Sequence, residues 1–450
     1  MRRLMFVSAW LLATGGASVF LYRSLAGARR TLFLPGRTTS GHHQIEDKCE
    51  LCHDLGGAGV RQEACVRCHG DELADASDSH PLAMFLDPRN ATDLAAIDVR
   101  RCTSCHVEHR PSITGPMGVS RPAAFCVACH ADVAAERPSH RALPFDGCAD
   151  AGCHNYHDNR ALGEAFLADH LDEPELTAHP VVPALDRDSR YGGLGSRPLT
   201  RRQQDAPPGV TPSETVLAEW QSTEHAAAGV NCTDCHGGAP TMERPWTDRP
   251  GLEGCRECHG GEVAGFLRGK HGMRLASGLP AMRPELARLP MRASARGREI
   301  GCATCHAAHA FDRRRAAVEA CLECHDDRHS LAYLDSPHHG SWKLEQARNE
   351  GEGGGVSCAT CHMPRVRVVD TDRPGVTVEH DQNAALRPIE TMVRPVCQPC
   401  HGVAYSLAAM AEPGLAAGNF RRAPALPARA IQMVRDKVKR GPPAAKEDRR

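Results

Sequence analysis

The chain has 450 residues, a length suited to two or three domains. Its 54 Lys and Arg balance 55 Asp and Glu for a formal charge of -1, so it lacks the basic excess that would neutralise nucleic-acid phosphates, and no nucleic-acid partner is expected. Hydrophobic residues make up 41% but aromatics only 4%, and 41 Gly and 32 Pro predict much loop and turn, so something besides Phe, Tyr and Trp must fill the interior.

In chain order, Leu4 to Tyr22 form the first element, an apolar run behind Arg2 and Arg3 that is nearly long enough to cross a bilayer. A cleaved signal peptide is the competing reading, with Gly15 and Ala17 as small residues before a cut. Against cleavage, Val19-Phe20-Leu21-Tyr22 extends the apolar run beyond that point, so the expectation is an uncleaved signal anchor, a transmembrane helix within 1–23. Arg23, Arg29 and Arg30 balance the two leading arginines, so flanking charge does not orient the helix.

Ten times the chain then reads Cys-x-x-Cys-His. The first four copies are Cys49/Cys52/His53, Cys65/Cys68/His69, Cys102/Cys105/His106 and Cys126/Cys129/His130. After a gap follow Cys232/Cys235/His236, Cys255/Cys258/His259, Cys302/Cys305/His306 and Cys321/Cys324/His325, then Cys358/Cys361/His362 and Cys397/Cys400/His401. The fifth motif in chain order is an eleventh copy, stretched by two residues to Cys148-Ala149-Asp150-Ala151-Gly152-Cys153-His154, and it leaves none of the 22 cysteines unassigned. Two thiols one helical turn apart can each add to a vinyl group of one porphyrin, and the next residue, His, then sits under the iron. Zinc sites built from paired Cys-x-x-Cys, or structural disulfides, would suit the even cysteine count but leave eleven following histidines unexplained. The motifs therefore predict about eleven covalently attached heme c groups. Such attachment takes place outside the bacterial cytoplasm, so the bulk of the chain is expected on the periplasmic side of the inner membrane, or secreted if the leader is cleaved.

Fifteen histidines lie outside the motifs, enough to supply a second axial ligand to every iron. His109 and His157 follow their motif histidines by three residues, while His80 and His140 follow theirs by eleven and ten in the related contexts Asp78-Ser79-His80-Pro81 and Pro138-Ser139-His140-Arg141. Motifs one and two with His80 are thus echoed by motifs three and four with His140, an internal duplication. His42 and His43 form one doublet and His338 and His339 another, with one ligand expected from each. His225, His271, His309, His338 and His380 complete the distal candidates. Met as sixth ligand would raise the potentials, so an all-His set predicts low-potential, anaerobic-type electron flow, and Met363 beside His362 is read as packing.

The expected architecture is mainly α with extensive loops, wrapped around hemes in two modules, and no alternating strand pattern of any length is evident. Residues 41–171 are read as a pentaheme module, 172–212 as a linker rich in Pro and Gly around Gly192 to Pro212, 213–420 as a hexaheme module and 421–450 as a basic tail. A short helix is predicted over Leu162 to Leu171, with Leu162, Phe166 and Leu167 on one face and His170 near its end. Another is predicted from Ser213 through Val216, Leu217 and Trp220 to near Gly229. The last thirty residues hold ten Lys and Arg against three Asp and Glu, with Pro424, Pro427 and Pro442-Pro443, and read as a solvated, partly disordered tail or a docking arm for an acidic partner or anionic lipid.

The second half carries Cys324-His325-Asp326-Asp327-Arg328-His329-Ser330, then Ser336-Pro337-His338, Trp342 and Gly355-Val356-Ser357-Cys358-Ala359-Thr360-Cys361-His362-Met363-Pro364-Arg365. In these stretches it resembles the hydroxylamine oxidoreductase-like and octaheme cytochrome group, over roughly residues 213 to 410. The first half resembles multiheme modules of the cytochrome c3/c7 type. The resemblance implies either an electron carrier or a multiheme oxidoreductase of a small nitrogen or sulfur compound such as hydroxylamine, nitrite or tetrathionate. Two departures weaken the enzyme reading: no Cys-x-x-Cys-Lys motif is present, and Tyr405, the only Tyr after His401, follows it by just four residues. If one iron is open, Cys321/Cys324/His325 among Asp326, Asp327 and His329 is the expected place. As a carrier, the protein would exchange electrons with a quinol-oxidising membrane complex or with other cytochromes. A third reading, a stacked heme polymer, is not tested by any sequence feature, although an anchor speaks against it.

Overall fold

The computed structural model describes residues 2–26, 34–54, 59–76, 80, 82–110, 112–115, 118–141, 143, 146–157, 162–180, 182–183, 198–238, 243–348, 355–368, 375–386 and 389–440. Arg29 and Arg30, Gly192 and Pro442-Pro443 lie outside these residues. The fold is mainly helical with long loops, and it divides into two compact units, Met1–Ala131 and Asp132–Arg450.

Unit one begins with a helix over Arg2–Ala26, whose Met5–Arg23 stretch has a mean hydropathy of 1.5 and no buried residues. Phe6 is 75% exposed and Trp10 60%. At about 1.5 Å per residue, a helix of this length and composition can cross the apolar layer of a membrane. The rest of the unit consists of short helical turns, with one longer helix over Gln62–Asp75. Among its described residues only Phe85 and Ile97 are buried apolar side chains. A segment this size cannot offset its chain entropy with two such side chains. It therefore needs another source of buried apolar area.

Unit two has a protein core of its own. Leu162, Leu167 and Leu171 pack with Val393, Val403, Leu407, Ile431 and Val434. The predicted helix at 162–171 is observed as Glu164–Asp169, flanked by the buried Leu162 and Leu171. The fifth motif, grouped by sequence with the first four, belongs to this unit, and its Ala151 and Cys153 pack on the cluster. Gly152 is required there for two reasons: its φ is +80°, and an added Cβ would meet Leu407 Cδ1 at 3.0 Å and Ala430 Cβ at 3.1 Å.

The expected tail differs from what is observed. Arg429–Arg440 is a helix, because Ala430, Ile431 and Val434 form one apolar stripe that enters the core while Lys437, Lys439 and Arg440 favour the negative end of its dipole. The predicted helix from Ser213 is also corrected. Ser213 caps Glu214–Gln221, but the chain breaks at Ser222 and Thr223 because the Thr223 hydroxyl accepts from the Ala226 amide (3.2 Å) and starts a second turn, Glu224–Ala227, carrying His225. A short antiparallel pair, β1 (Arg365–Val368) and β2 (Gly375–Val378), goes beyond the sequence expectation. Its Arg-Val-Arg-Val and Gly-Val-Thr-Val patterns do alternate, over four residues each, too short a stretch to stand out in the sequence. The hairpin delivers His380 two residues beyond its end.

Replacing the fully buried Leu407 with Ala should lower the unfolding free energy by about 2–5 kcal/mol. Leu426→Ala, at a side chain 76% exposed, should stay within about 0.5 kcal/mol. Denaturant midpoints of the two variants check this, and equal losses would show that the cluster is not a core.

Candidate heme-binding site

Each motif closes on itself through the backbone. The His53 amide donates to the Cys49 carbonyl at 2.8 Å, and the same bond recurs from His106 to Cys102 (2.8 Å), His259 to Cys255 (2.8 Å) and His401 to Cys397 (2.8 Å). One helical turn thus presents two thiols and an imidazole on a common side. The stretched fifth copy keeps this closure, since the His154 amide reaches the Cys148 carbonyl at 2.9 Å while Cys153 bonds back to Asp150 (2.8 Å). Its two extra residues are absorbed in the bulge that Gly152 makes possible.

All 22 thiols are unbridged. Burial first, with nearby cysteines second, pushes Cys305 up to about 11 and both Cys361 and Cys397 up to about 12. These groups are thiols, the form that adds across a vinyl group. Thiols of successive motifs hydrogen-bond each other, Cys65 with Cys102, Cys255 with Cys302 and Cys321 with Cys358.

The thiols are not equally covered. Cys49, Cys52, Cys68, Cys129 and Cys258 are exposed, whereas Cys324 and Cys400 are buried. In motifs two, four and seven the first thiol (Cys65, Cys126, Cys255) is partly covered, and the second (Cys68, Cys129, Cys258) faces solvent. The reason is the surrounding polypeptide. Cys68 and Cys129 belong to unit one, which has almost no buried apolar side chains to lay over them, and Cys258 sits between the exposed Glu257 and the glycines that open the Gly260–Arg268 helix. Cys324 follows Leu322, which packs on the cluster of Val318, Tyr333 and Trp342, and Cys400 precedes the fully buried Val403. Solvent exposure leaves a thiol open to addition, which needs only its sulfur at a porphyrin edge.

The histidines come together in facing pairs. In unit one His42 faces His69 (5.8 Å between ring centroids), His109 faces His53 (6.3 Å) and His80 faces His130 (6.1 Å). In unit two His140 faces His154 (6.1 Å), His309 faces His236 (5.9 Å) and His225 faces His259 (5.9 Å). Four further pairs follow: His380 with His306 (6.3 Å), His271 with His325 (6.3 Å), His329 with His362 (6.1 Å) and His338 with His401 (6.2 Å). An iron held by one imidazole nitrogen from each ring, at metal–nitrogen distances of about 2 Å, would place the two centroids about 6 Å apart. The observed separations fit that arrangement.

Hydrogen bonds fix which nitrogen is free to bind. Nδ1–H donates to a backbone carbonyl in His106 (Gly118, 3.2 Å), His236 (Thr247, 2.8 Å) and His401 (Glu175, 2.8 Å) among the motif residues. It does the same in His109 (Gly36, 2.9 Å), His329 (Ala416, 2.8 Å) and His380 (Val378, 2.9 Å). A carbonyl can only accept, so in each of these rings Nε2 keeps its lone pair, as a metal ligand requires. Gly36 has to be glycine, because a Cβ there would lie 2.2 Å from the His109 carbonyl oxygen. His109 and His309 both adopt left-handed backbone, φ 62° and 65°, a strained conformation that turns each ring back toward its partner. Glu108 accepts from His42 Nδ1 (2.7 Å), from the Thr39 amide (2.5 Å) and from the Thr39 hydroxyl (2.8 Å). Burial alone would raise its pKa, but these bonds hold it at about 2.

The arrangement fits a porphyrin iron between each ring pair with paired thiols at its edge, and in unit one it supplies the apolar filling that the side chains lack. Residues 41–131 match the family model described as cytochrome c3. Residues 41–131 thus form a cytochrome c3-type domain, which supports a multiheme electron-transfer cytochrome of the c type. A domain of that family implies covalently bound heme c. Neither among curated proteins nor among solved structures does the chain find a match.

Some sequence expectations are placed differently. His329, counted among the surroundings of the ninth motif, faces His362 instead. Asp327 caps the Arg328–Ala332 turn through the His329 and Ser330 amides (3.0 and 3.1 Å), an Asp-x-His-Ser pattern that could have signalled an oriented ring. His157 lies against Tyr156 (5.0 Å), and the ring facing His154 is that of His140. Of the doublets, His42 and His338 face motif histidines, whereas His43 meets the Gln44 side chain (3.1 Å) and His339 lies 5.0 Å from Tyr333. The start of the expected linker is a strap on the eleventh motif. Glu173 accepts from the Val403 amide (2.8 Å), and Thr177 and Gly402 pair with the carbonyls of Cys400 (2.8 Å) and Pro174 (3.1 Å).

Burial, with a facing or neighbouring imidazole second, pushes His271, His306, His338 and His362 down to about 4 from an ordinary 6.5. The unfolded chain therefore takes up these protons first as pH falls. Stability should be complete above about pH 6.5 and decline between there and about pH 4. Guanidinium midpoints of the heme-free chain, in which these rings carry no metal, should fall in the order of about pH 7.5, 6 and 4.5, and a constant midpoint would contradict the downward shifts.

Proposed function

We propose that the protein is a periplasmic, membrane-anchored relay that passes electrons through eleven covalently bound hemes with histidine on both sides of the iron. One observation carries this reading. Among the described residues, ten of the eleven motif histidines face a second imidazole with centroids 5.8 to 6.3 Å apart. The eleventh, His106, is oriented by the Gly118 carbonyl.

Contacts between successive motifs support hopping along the chain of centres. Cys65 touches Cys102, Cys255 touches Cys302 and Cys321 touches Cys358, so neighbouring porphyrins anchored there would lie edge against edge. His271 facing His325 favours a carrier over an oxidoreductase of the octaheme type, because the ninth motif is where an open iron is expected. The exposed apolar helix Arg2–Ala26 supports the anchor, and the electron donor is then a quinol-oxidising membrane complex or another cytochrome.

Low-temperature EPR of the oxidised full-length protein, with optical spectra of the reduced form under carbon monoxide, tests the reading. Every heme should be low-spin and none should bind carbon monoxide. A high-spin signal of about one heme with matching carbon monoxide binding would move the lead to an enzyme acting at that centre. His329→Ala should create one such high-spin, carbon monoxide-binding heme, and an unchanged spectrum would remove His329 from the ligand set.

A further inference from the structure

The acceptors behind the imidazoles are not alike. Most of those described are backbone carbonyls, which are neutral. Behind His42 and His69 they are carboxylates, Glu108 Oε1 at 2.7 Å and Glu72 Oε2 at 3.2 Å. His325 has Asp327 at 3.6 Å, a longer approach and on one ring of its pair. Among the contacts described, His42–His69 is thus the pair with an anionic acceptor on both rings.

The two carboxylates are held differently. Glu108 reaches across from the loop just before His109 and is fixed by both the amide and the hydroxyl of Thr39. Its side chain is 27% exposed, so water screens it only in part. Glu72 stands one helical turn beyond His69 on the Gln62–Asp75 helix and is 69% exposed. The stronger effect should therefore come from Glu108.

We propose that Glu108, assisted by Glu72, is a positioning residue that sets the potential of the centre between His42 and His69, holding it lower than carbonyl acceptors would. This rests on the reading above that those two rings are axial ligands of one iron. A hydrogen bond to an anion pulls Nδ1–H toward the acceptor and leaves Nε2 richer in electron density. The ferric ion carries one more positive charge than the ferrous, so a richer donor on both faces favours the ferric state. With a heme bound there, one electron from the redox partner would convert ferric to ferrous, and His42 and His69 would each keep Nδ1–H on the ring in both states. The same two bonds engage Nδ1 of each ring and leave Nε2 as the nitrogen available to a metal.

The test is spectroelectrochemical titration of the full-length holoprotein as wild type, Glu108→Gln, Glu72→Gln and the double variant. Glutamine keeps the size and an accepting oxygen but removes the charge. The expected result is that one of the one-electron steps moves to more positive potential in each single variant, further in Glu108→Gln than in Glu72→Gln and furthest in the double, while the others superimpose. Glu108→Asp should return that step toward its original position. Four superimposable titrations would overturn the proposal, as would a uniform drift of all steps. EPR separates the two levels of the argument. If Glu108→Gln loses a low-spin heme, the carboxylate is needed to seat His42, and the Glu72→Gln titration, made at an exposed side chain, then decides the effect of charge. If His42→Ala leaves every heme low-spin, the ligation reading itself fails.

Discussion

Two imidazole rings held with their centroids about 6 Å apart gain little from the approach by themselves, and a Lewis acid bound between them would supply the missing attraction. The rest of the structure follows from satisfying that condition repeatedly. It explains why motif histidines are turned by carbonyls as distant in sequence as Glu175 from His401, and why His109 and His309 accept left-handed backbone. It also explains why a two-residue insertion in the fifth motif is tolerated as long as the His154 amide still closes on Cys148.

The two units meet the condition by different means. Unit one has two buried apolar side chains among its described residues, so hemes bound there would serve as most of its interior, and cofactor loading and folding would become one process. Its exposed thiols at Cys49, Cys52, Cys68 and Cys129 express the same shortage of covering side chains. Unit two adds a protein core. Leu407 and Ile431 stabilise the fifth and eleventh motif regions by ordinary packing, and the strap at Glu173 to Thr177 adds hydrogen bonds to the eleventh. Burial there also keeps rings such as His271 neutral well below their usual titration range, so a ligand need not compete with a proton near neutrality.

The covalent half of the site was legible in the sequence because it is local. Cys, Cys and His fall within one helical turn, and spacing alone conveys the chemistry. How deeply each thiol lies is not local, and Cys258 and Cys324 read alike in sequence although one is exposed and the other buried. Rings that face a motif histidine could be picked out only where spacing repeats, as for His109 and His80, or where a histidine stands without an obvious competitor, as for His225 and His380. His329 escapes sequence reading because its signal is a capping aspartate two residues earlier, easily taken for an acidic setting. His157 misleads because the same three-residue spacing that serves His109 follows a bulged motif. The strap at 172–177 resembles linker because its partners lie more than 200 residues away, at Cys400, Gly402 and Val403. The Arg429–Arg440 helix is hidden by its charge, since three small or apolar residues suffice to bury one face. The helical, loop-rich character follows from composition, whereas the boundary between the units, after Ala131, does not, and the β1–β2 pair falls below the length at which alternation can be seen.

The thiol contacts between successive motifs have a consequence for biosynthesis. Cys65 and Cys102, Cys255 and Cys302, and Cys321 and Cys358 each sit within hydrogen-bonding reach while belonging to different motifs. In an oxidising compartment such neighbours are one two-electron step from a disulfide that would consume one anchor from each of two motifs. Thioether formation and oxidation therefore compete for the same sulfur atoms. A chain matured in such a compartment would depend on a reducing supply, and attachment would close those atoms to exchange.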